Sequence, residues 1–569
     1  MKRRGNWIGI ILILLIVIGF ILAVLFVYSM NNRITGNVIS TISSVDENIS
    51  FETMKQVSSD LNNTFSKNYW VKPGQIYYYG IKDCVNAINT INGCSGPNPV
   101  TPYGFLLAPI NPKDKYTMQD NFMVPDSNLS TNFRMRSDEA IVIIGITPPK
   151  SKFFSYIPYM FFRDVKNQKI IPKMVNQIFL KMLGVGESSN SILSNPNRFP
   201  YWASFDYNPP LNDETINTSK KSSGNFDGAF VIVITADKTI DEKIINELKK
   251  NILPKYGINS NIINTIKVPY NKLHMGYKNE SDDFQLQNRI AYIENETLKE
   301  QYTSNPPLTV LRIVPNGNEN WFSKKFSFEK GPNKNTNISE IGFQDSLDTL
   351  LQAVKLAETH NNRIENFTVK ELLGSLAIFE TCVRLGISCL GDDQDAMYAY
   401  PDNQGSPIPI QLKNNSDDFL IIVGMNHVQT GKAEYNNFAL GNGVGVSFAS
   451  INDKMTNGSA RKYLSYIQNL NNVSQETKNE LLNNLDKFIA YKISKACNNE
   501  SYCYQIPVDT YICFNGSIAY FCDPPGTPGL YPDDSLGILE RAYDDPLTNT
   551  GPSYEQLLPT YFVKYDSKN

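Results

Sequence analysis

The sequence has little of what most enzyme active sites require. It contains three histidines, His274, His360 and His427, so a metal site built from several histidines is not expected. Neither H-E-x-x-H nor G-x-S-x-G occurs, which removes the usual signatures of zinc proteases and nucleophilic serine hydrolases. Gly431-Lys432 is similar to the end of a phosphate-binding loop, but its distance from the preceding glycine is wrong and no Ser or Thr follows it. Several standard catalytic signatures are therefore absent.

A strong charge of one sign is also missing. Lys and Arg together number 53 and Asp and Glu 56, which gives a net charge of −3 at pH 7. A basic surface for polyanions is therefore not expected, and we predict no nucleic-acid partner. Aromatic residues, in contrast, make up 11% of the chain, enough for packed cores rather than a disordered tail.

The N-terminus carries a long apolar run, Trp7–Tyr28, preceded by Lys2-Arg3-Arg4. About 20 apolar residues at about 1.5 Å each match a hydrocarbon core roughly 30 Å thick, and the basic flank predicts a cytoplasmic N-terminus. A cleaved signal peptide is the alternative, but the run is long for one and no A-x-A-like site follows it. We predict a single-pass signal-anchor in which residues 7–29 contact the lipid bilayer and the rest of the chain is extracytoplasmic.

Cysteine usage agrees with export. All eight cysteines follow the anchor in close pairs: Cys84 and Cys94, Cys382 and Cys389, Cys497 and Cys503, Cys513 and Cys522. An even count in an exported chain predicts disulfides, although eight cysteines leave the connectivity open. A zinc site formed by the last four is the alternative, but their spacings are wider than those of zinc ribbons. Several N-x-[S/T] sequons after the anchor are compatible with a glycoprotein.

Changes in composition divide the chain into five segments. They are a cytoplasmic tail (1–6), the transmembrane signal-anchor (7–29), a stalk rich in Ser, Thr and Asn (30–72), and two ectodomain lobes (73–330 and 331–569). The predicted fold class is an α+β ectodomain of two associated lobes.

Apolar runs predict buried strands at Ala140–Ile146, Ala229–Thr235, Leu308–Val314 and Phe419–Gly424. The second of these leads into a helix from Ile240, with Thr239 as its N-cap, and then into a strand, which predicts a β-α-β unit. Helical periodicity or a capping residue predicts three further helices: Ser346–His360, Val369–Thr381 and Ser474–Ala496. The segments that begin at Glu139 and Asp418 echo each other, as two similar hairpins from two lobes would, with coincidence as the alternative.

Two polar loops are candidate sites. Asp392, Asp393 and Asp395 could supply oxygen ligands to Ca²⁺, with a solvated acidic loop as the alternative. In the segment that ends at Lys432, His427 could act as a general base, and Asn426 or Lys432 could stabilise negative charge. The alternative there is a hairpin loop whose histidine is hydrogen-bonded locally.

Five motifs follow one another within residues 101–563: TPPKSKFFSYIPYMFFR, ITADKTIDEKIINELKK, CLGDDQDAMYAYPD, GMNHVQTGKAEYNNF and LERAYDDPLTNTGPSYEQLLPTYFV. By these motifs the chain resembles a group of secreted or membrane-anchored proteins of unassigned function. The resemblance implies that the two lobes occur together and that both polar loops belong to the shared pattern. It implies no activity, cofactor or catalytic residue.

The sequence thus predicts a surface-displayed binding or structural module of unknown ligand. An extracytoplasmic hydrolase, with its site where the Asp392–Asp395 loop meets the His427 loop, is the alternative. Whether the protein is an enzyme stays open at this point.

Overall fold

The structure is a computed structural model. It describes residues 49–91, 101–117, 128–164, 198–205, 211–217, 225–321, 323–327, 334–358, 362–371, 383, 389, 391, 394–403, 406–407, 410–413, 418–442, 446–515, 518–523, 526–531, 534–548 and 550–567. The predicted cytoplasmic tail and signal-anchor lie outside these residues. No helix within the described ranges is both long and apolar enough to cross a membrane.

The described chain is α+β and contains two large sheets. The strands of sheet 1 are β1 (Tyr69–Tyr79), β2 (Tyr103–Pro109), β3 (Leu129–Ser130), β4 (Ala140–Ile146), β5 (Phe153–Asp164), β6 (Arg198–Ser204), β7 (Leu211–Asn212), β8 (Ala229–Thr235), β9 (Ile263–Lys267), β10 (Asp283–Ala291) and β11 (Leu308–Pro315).

Sheet 2 and a separate hairpin follow. The strands of sheet 2 are β12 (Asn362–Glu371), β13 (Ala396–Asn403), β14 (Ser406–Pro407), β15 (Phe419–Met425), β16 (Tyr435–Gly441), β17 (Ser447–Asn452), β18 (Phe488–Ser494), β19 (Cys503–Gln505), β22 (Gly537–Tyr543) and β23 (Tyr561–Ser567). The hairpin consists of β20 (Ile512–Asn515) and β21 (Ile518–Phe521).

Helices pack on both large sheets and on the separate hairpin. They are α1 (Phe51–Phe65), α2 (Cys84–Ile91), α3 (Lys238–Glu247), α4 (Glu296–Ser304), α5 (Gln344–Glu358), α6 (Asp453–Thr456), α7 (Leu464–Asn469) and α8 (Gln475–Asn483). Apolar residues of α1 and α3 pack on β4, β8 and β11, and those of α5, α7 and α8 pack on β15, β18 and β23. We name sheet 1 with its helices lobe 1 and sheet 2 with its helices lobe 2.

The two sheets have the same topology. Sheet 1 runs β6-β5-β10-β2-β1-β11-β4-β8-β9, and sheet 2 runs β17-β16-β22-β13-β12-β23-β15-β18-β19. When the strands along these two orders are numbered by their place in the chain, the two orders are the same; β7, which pairs with β5, has no described counterpart. The last two strands are parallel in both, and a short extra strand lies beside β2 and beside β13. One β topology therefore occurs twice in the chain.

Aromatic residues from matching strands join the lobes. Phe153 at the start of β5 packs on Tyr543 at the end of β22, with ring centres 5.2 Å apart. Tyr435 at the start of β16 packs in turn on Tyr292, which directly follows β10, at 5.9 Å. Tyr292 and Asp544, the first residues after the two matching strands, both have positive φ, 56° and 44°. The contacts between the lobes are therefore made by residues at matching positions of the two sheets.

Part of the predicted stalk belongs to lobe 1. Ser50 caps α1 by accepting a hydrogen bond from the backbone N–H of Thr53 at 3.2 Å. Met54, Val57 and Leu61 of this helix are fully buried against sheet 1. The apolar spacing that places these residues on one helical face thus makes the segment from residue 51 part of the core.

Four predictions about local structure need correction. Helix α8 begins after the predicted cap Ser474 but ends at Asn483, and the following apolar residues form β18. Residues 369–371, predicted to begin a helix, belong to strand β12. The N-cap of α3 is Asp237, whose carboxylate accepts from the N–H of Thr239 at 2.7 Å. The echo segments are not hairpins, because β4 does not pair with β5, and β15 does not pair with β16.

Candidate functional site

The polar loop that follows β15 is folded into the interior of lobe 2. His427 is 1% exposed, with Nδ1 2.8 Å from Glu340 Oε1 and Nε2 3.2 Å from Glu540 Oε1. Burial alone would lower the pKa of His427, but the two carboxylates outweigh it and raise the pKa to about 10. At neutral pH the ring is therefore an imidazolium that donates a hydrogen bond from each nitrogen.

This environment does not favour the predicted role of His427 as a general base. A general base must accept a proton from a group within hydrogen-bond reach. The buried imidazolium already carries both protons, and its neighbours are held as well. Glu340 Oε2 accepts from the N–H of Leu558 at 3.0 Å, and Glu540 Oε1 accepts from the hydroxyl of Thr560 at 3.1 Å. The arrangement is that of a structural centre, held by two carboxylates that are distant in sequence rather than by the local hydrogen bonds of a hairpin loop.

The other two candidates in this loop are also engaged inside lobe 2. Lys432 is fully buried, and its Nζ lies 2.5 Å from Asp545 Oδ2 and 3.0 Å from Gln556 Oε1. Its third contact is a threonine hydroxyl at 3.0 Å. The amide of Asn426 donates to the backbone oxygen of Asp453 at 3.3 Å. Neither side chain is available to stabilise charge on a substrate.

Of the three aspartates in the predicted acidic loop, the structure describes Asp395. This residue contacts lobe 1. Asp395 is buried, and its Oδ1 accepts from Asn212 Nδ2 at 3.2 Å. The same amide donates to Asp544 Oδ1 at 3.2 Å, so one asparagine of lobe 1 joins two carboxylates of lobe 2. Within the described ranges, no group of three or more His, Cys, Asp or Glu could hold a metal ion. A Ca²⁺ site in this loop stays a prediction.

Disulfide formation is confirmed where the structure describes the cysteines. Cys497–Cys503 and Cys513–Cys522 are bridged as nearest neighbours, so a shared zinc site is wrong for these four. Cys84 and Cys389 are disulfide-bonded as well. The predicted site residues outside the described ranges are Cys94, Cys382, Asp392 and Asp393.

A cluster of arginines and tyrosines lies where the lobes meet. Arg289 on β10 is opposite Tyr103 on β2, and Arg541 on β22 is opposite Tyr398 on β13. Because these strands occupy matching positions in the two sheets, the two arginine–tyrosine pairs are equivalent. Arg289 Nη1 donates to the hydroxyl of Tyr398, and Arg541 Cζ lies 5.9 Å from the centre of the same ring. Both guanidinium groups therefore meet at one tyrosine of lobe 2.

Backbone contacts hold this cluster in place. The segment before β13 adds to the edge of sheet 1, where the N–H of Gly391 donates to the carbonyl of Trp202 at 2.9 Å. Gly391 has φ 70°, and a Cβ there would lie 2.7 Å from the Trp202 ring, so only glycine fits. The Gly391 carbonyl accepts from Arg289 Nη2 and, at 3.2 Å, from the hydroxyl of Tyr159. The Gly in the CLGDDQD motif thus serves the interface.

Arg541 differs in its partners from three other buried arginines. Arg136, Arg163 and Arg312 each lie 2.7 Å from a carboxylate oxygen. Arg541 is 7% exposed, contacts no carboxylate among the described residues, and has no acceptor there for its Nε and Nη1. Its electrostatic neighbours include the guanidinium of Arg289, which repels it. A buried charge without a counter-charge is costly, so this cluster has unused capacity to bind.

Sequence reasoning misses this cluster, although a local signal exists. Arg289 lies in a strand whose nine residues are all buried, and Arg541 lies in the mostly buried strand β22. An arginine inside a strand of buried residues indicates a partner in the protein or a ligand. The sequence alone does not show that the two arginines, far apart along the chain, belong to one site.

No protein-family model, curated protein or solved structure matches the chain. The resemblance to a group of secreted or membrane-anchored proteins therefore stays a prediction. By its fold and site, the chain is a disulfide-bonded α+β protein with one β topology repeated and an arginine–tyrosine cluster between the two copies.

Proposed function

We propose that the protein is a single-pass, membrane-anchored extracytoplasmic binding module, with its short N-terminus in the cytoplasm. The apolar run Trp7–Tyr28 and its basic flank support the anchor and its orientation. The bridged cysteines support an oxidising compartment for the rest of the chain, because disulfides persist mainly outside the cytosol.

Binding is supported over hydrolysis by the environment of Arg541. This side chain is buried at the lobe interface with two N–H donors that have no acceptor among the described residues. Of the residues predicted for hydrolysis, those that the structure describes are engaged within the protein, and His427 is an imidazolium at neutral pH. A recognition group is thus available at the lobe interface, while His427 is held as an imidazolium.

The location is tested by tagging the two ends of the chain separately and adding protease to intact cells. The C-terminal tag should be removed and the N-terminal tag protected, since the bulk of the chain lies outside. A variant that lacks residues 7–29 is the control and should leave the membrane fraction. Protection of the C-terminal tag on intact cells would overturn the proposal.

The alternative of a cleaved signal peptide has its own readout. Intact mass of the purified protein should include the residues of the apolar run, because the anchor is retained. A mature protein that begins after Tyr28 would replace the anchor with secretion.

A further inference from the structure

We infer that Arg541 and Arg289 together bind an oxyanion, the carboxylate, sulfate or phosphate group of a ligand, between the two lobes. The inference deepens the binding role proposed above by naming the chemical class of the ligand. It does not depend on the membrane anchor, so each can fail without the other.

The first reason is the unbalanced charge of Arg541. A guanidinium stays protonated in proteins, so burial cannot neutralise it as it can a lysine or histidine. In lobe 1 the fully buried Arg312 is balanced by Glu139, whose Oε1 lies 2.7 Å from its Nη2. Arg541 has no such carboxylate among the described residues. An anion at this position would supply the missing counter-charge.

The second reason is the position of Arg289. It brings a second guanidinium to the same tyrosine, and the two arginines repel each other electrostatically. One anion between them would turn this repulsion into two attractive interactions. Arginine also matches the several acceptor oxygens of a carboxylate or phosphate better than it matches a single-atom ion. The ligand is therefore expected to be an oxyanion rather than a halide.

The third reason is the buried environment of the two guanidinium groups. Tyr398 and Tyr159 are buried, and their hydroxyls accept hydrogen bonds from Arg289. In such an environment a charge-assisted hydrogen bond is stronger than in water. Because Arg289 belongs to lobe 1 and Arg541 to lobe 2, the bound anion would also hold the lobes together.

Thermal unfolding of the full-length protein in detergent tests this inference. Phosphate, sulfate, acetate and chloride are added as sodium salts at equal ionic strength to a low-salt zwitterionic buffer. An oxyanion that binds the folded state should raise the midpoint by about 2–4 °C at saturation, and chloride should raise it less. Variant R541L should lose this difference and should be at least as stable as the wild type without added anion.

The matched control is R461L, which removes an exposed arginine paired with Asp486 at 2.8 Å. General salt effects on stability should be the same in the wild type, R461L and R541L, so only the specific part disappears in R541L. An equal midpoint rise in R541L and the wild type would overturn the inference, as would an equal effect of chloride.

A second variant covers the case in which R541L does not fold. R541K keeps the positive charge but loses the planar arrangement of donors, so its preference for oxyanions over chloride should fall. Equilibrium dialysis with radiolabelled phosphate gives an independent measure, with one site per wild-type chain expected. The absence of saturable uptake, together with no oxyanion-specific midpoint rise for sulfate or acetate, would refute the site.

Discussion

The two lobes share a strand order but cover and close it differently. In lobe 1 the parallel strands β8 and β9 are joined through helix α3. In lobe 2 the matching strands β18 and β19 are joined by a short connection closed by Cys497–Cys503, and the covering helices α7 and α8 come from an insertion between β17 and β18. The comparison teaches that the strand order and the helix before the first strand, α1 or α5, are common to both lobes, while the other covering helices differ.

The polar centres of the lobes differ in the same way. Lobe 1 buries Arg312 with Glu139, a pair whose cation does not titrate at ordinary pH. Lobe 2 buries His427 between Glu340 and Glu540, where the cation can lose its charge. The cation of the lobe 1 centre thus keeps its charge, whereas the cation of the lobe 2 centre can lose it at high pH.

Breaking the buried Arg312–Glu139 pair of lobe 1 should give the largest loss of stability. R312M leaves Glu139 buried without its cation, which should lower the free energy of unfolding by about 3–5 kcal/mol. Urea unfolding followed by tryptophan fluorescence measures the change. The exposed pair of Arg461 and Asp486 gives the control, and R461M should cost less than about 1 kcal/mol. Equal losses in both variants would show that the buried pair does not stabilise lobe 1.

The centre of lobe 2 should make stability depend on pH. The pKa of His427 is raised to about 10 in the folded state, above its ordinary value of about 6.5. Its stabilisation is therefore fully present below pH 6.5 and is lost as pH rises through about 10. The difference in thermal midpoint between the wild type and H427Q should shrink over this window.

R461M serves as the comparison for this pH series, because it removes an exposed arginine whose guanidinium keeps its charge throughout. Its deficit relative to the wild type should stay nearly constant between pH 6.5 and 10. A deficit of H427Q that is equally constant would mean that His427 is not a buried imidazolium.

The smallest losses of stability should come from substitutions in the segments that connect the parallel strands, β8 to β9 and β18 to β19. Removing the Cys497–Cys503 bridge with C497S/C503S frees a loop with a sequence separation of 6, which should cost about 2 kcal/mol by chain entropy. D237A removes the N-cap of α3 in the matching connection of lobe 1 and should cost about 1 kcal/mol. Urea unfolding ranks the two, and a larger loss for D237A would reverse the expected order.

Elements with a single strong pattern are predictable from the sequence. Strands β4, β8 and β15 are continuous apolar runs, and α5 has its buried residues at helical spacing. The β-α-β unit around α3 follows from the same patterns. The helix predicted over Ser474–Ala496 fails in its second half because apolar residues from Leu485 to Ile493 fit a buried strand as well as a helix.

Long-range pairing is the part that sequence patterns do not contain. The echo between the segments from Glu139 and Asp418 reflects matching strands, yet neither segment is a hairpin, because the neighbours of β4 and β15 come from elsewhere in the chain. His427 looks available in the sequence, but Glu340 and Glu540, which bury and charge it, lie 87 and 113 residues away. The arginine–tyrosine cluster likewise exists only once both sheets have formed.

The first and last strands of each lobe are hydrogen-bonded neighbours. Tyr69 is opposite Pro315 in lobe 1, and Asn362 is opposite Ser567 in lobe 2. The chain therefore enters and leaves each lobe at one place, an arrangement suited to tandem doubling of a single unit. Covalent linkage raises the local concentration of one copy near the other to about the millimolar range. The tethered copies can thus stay associated through a contact that contains two mutually repelling arginines.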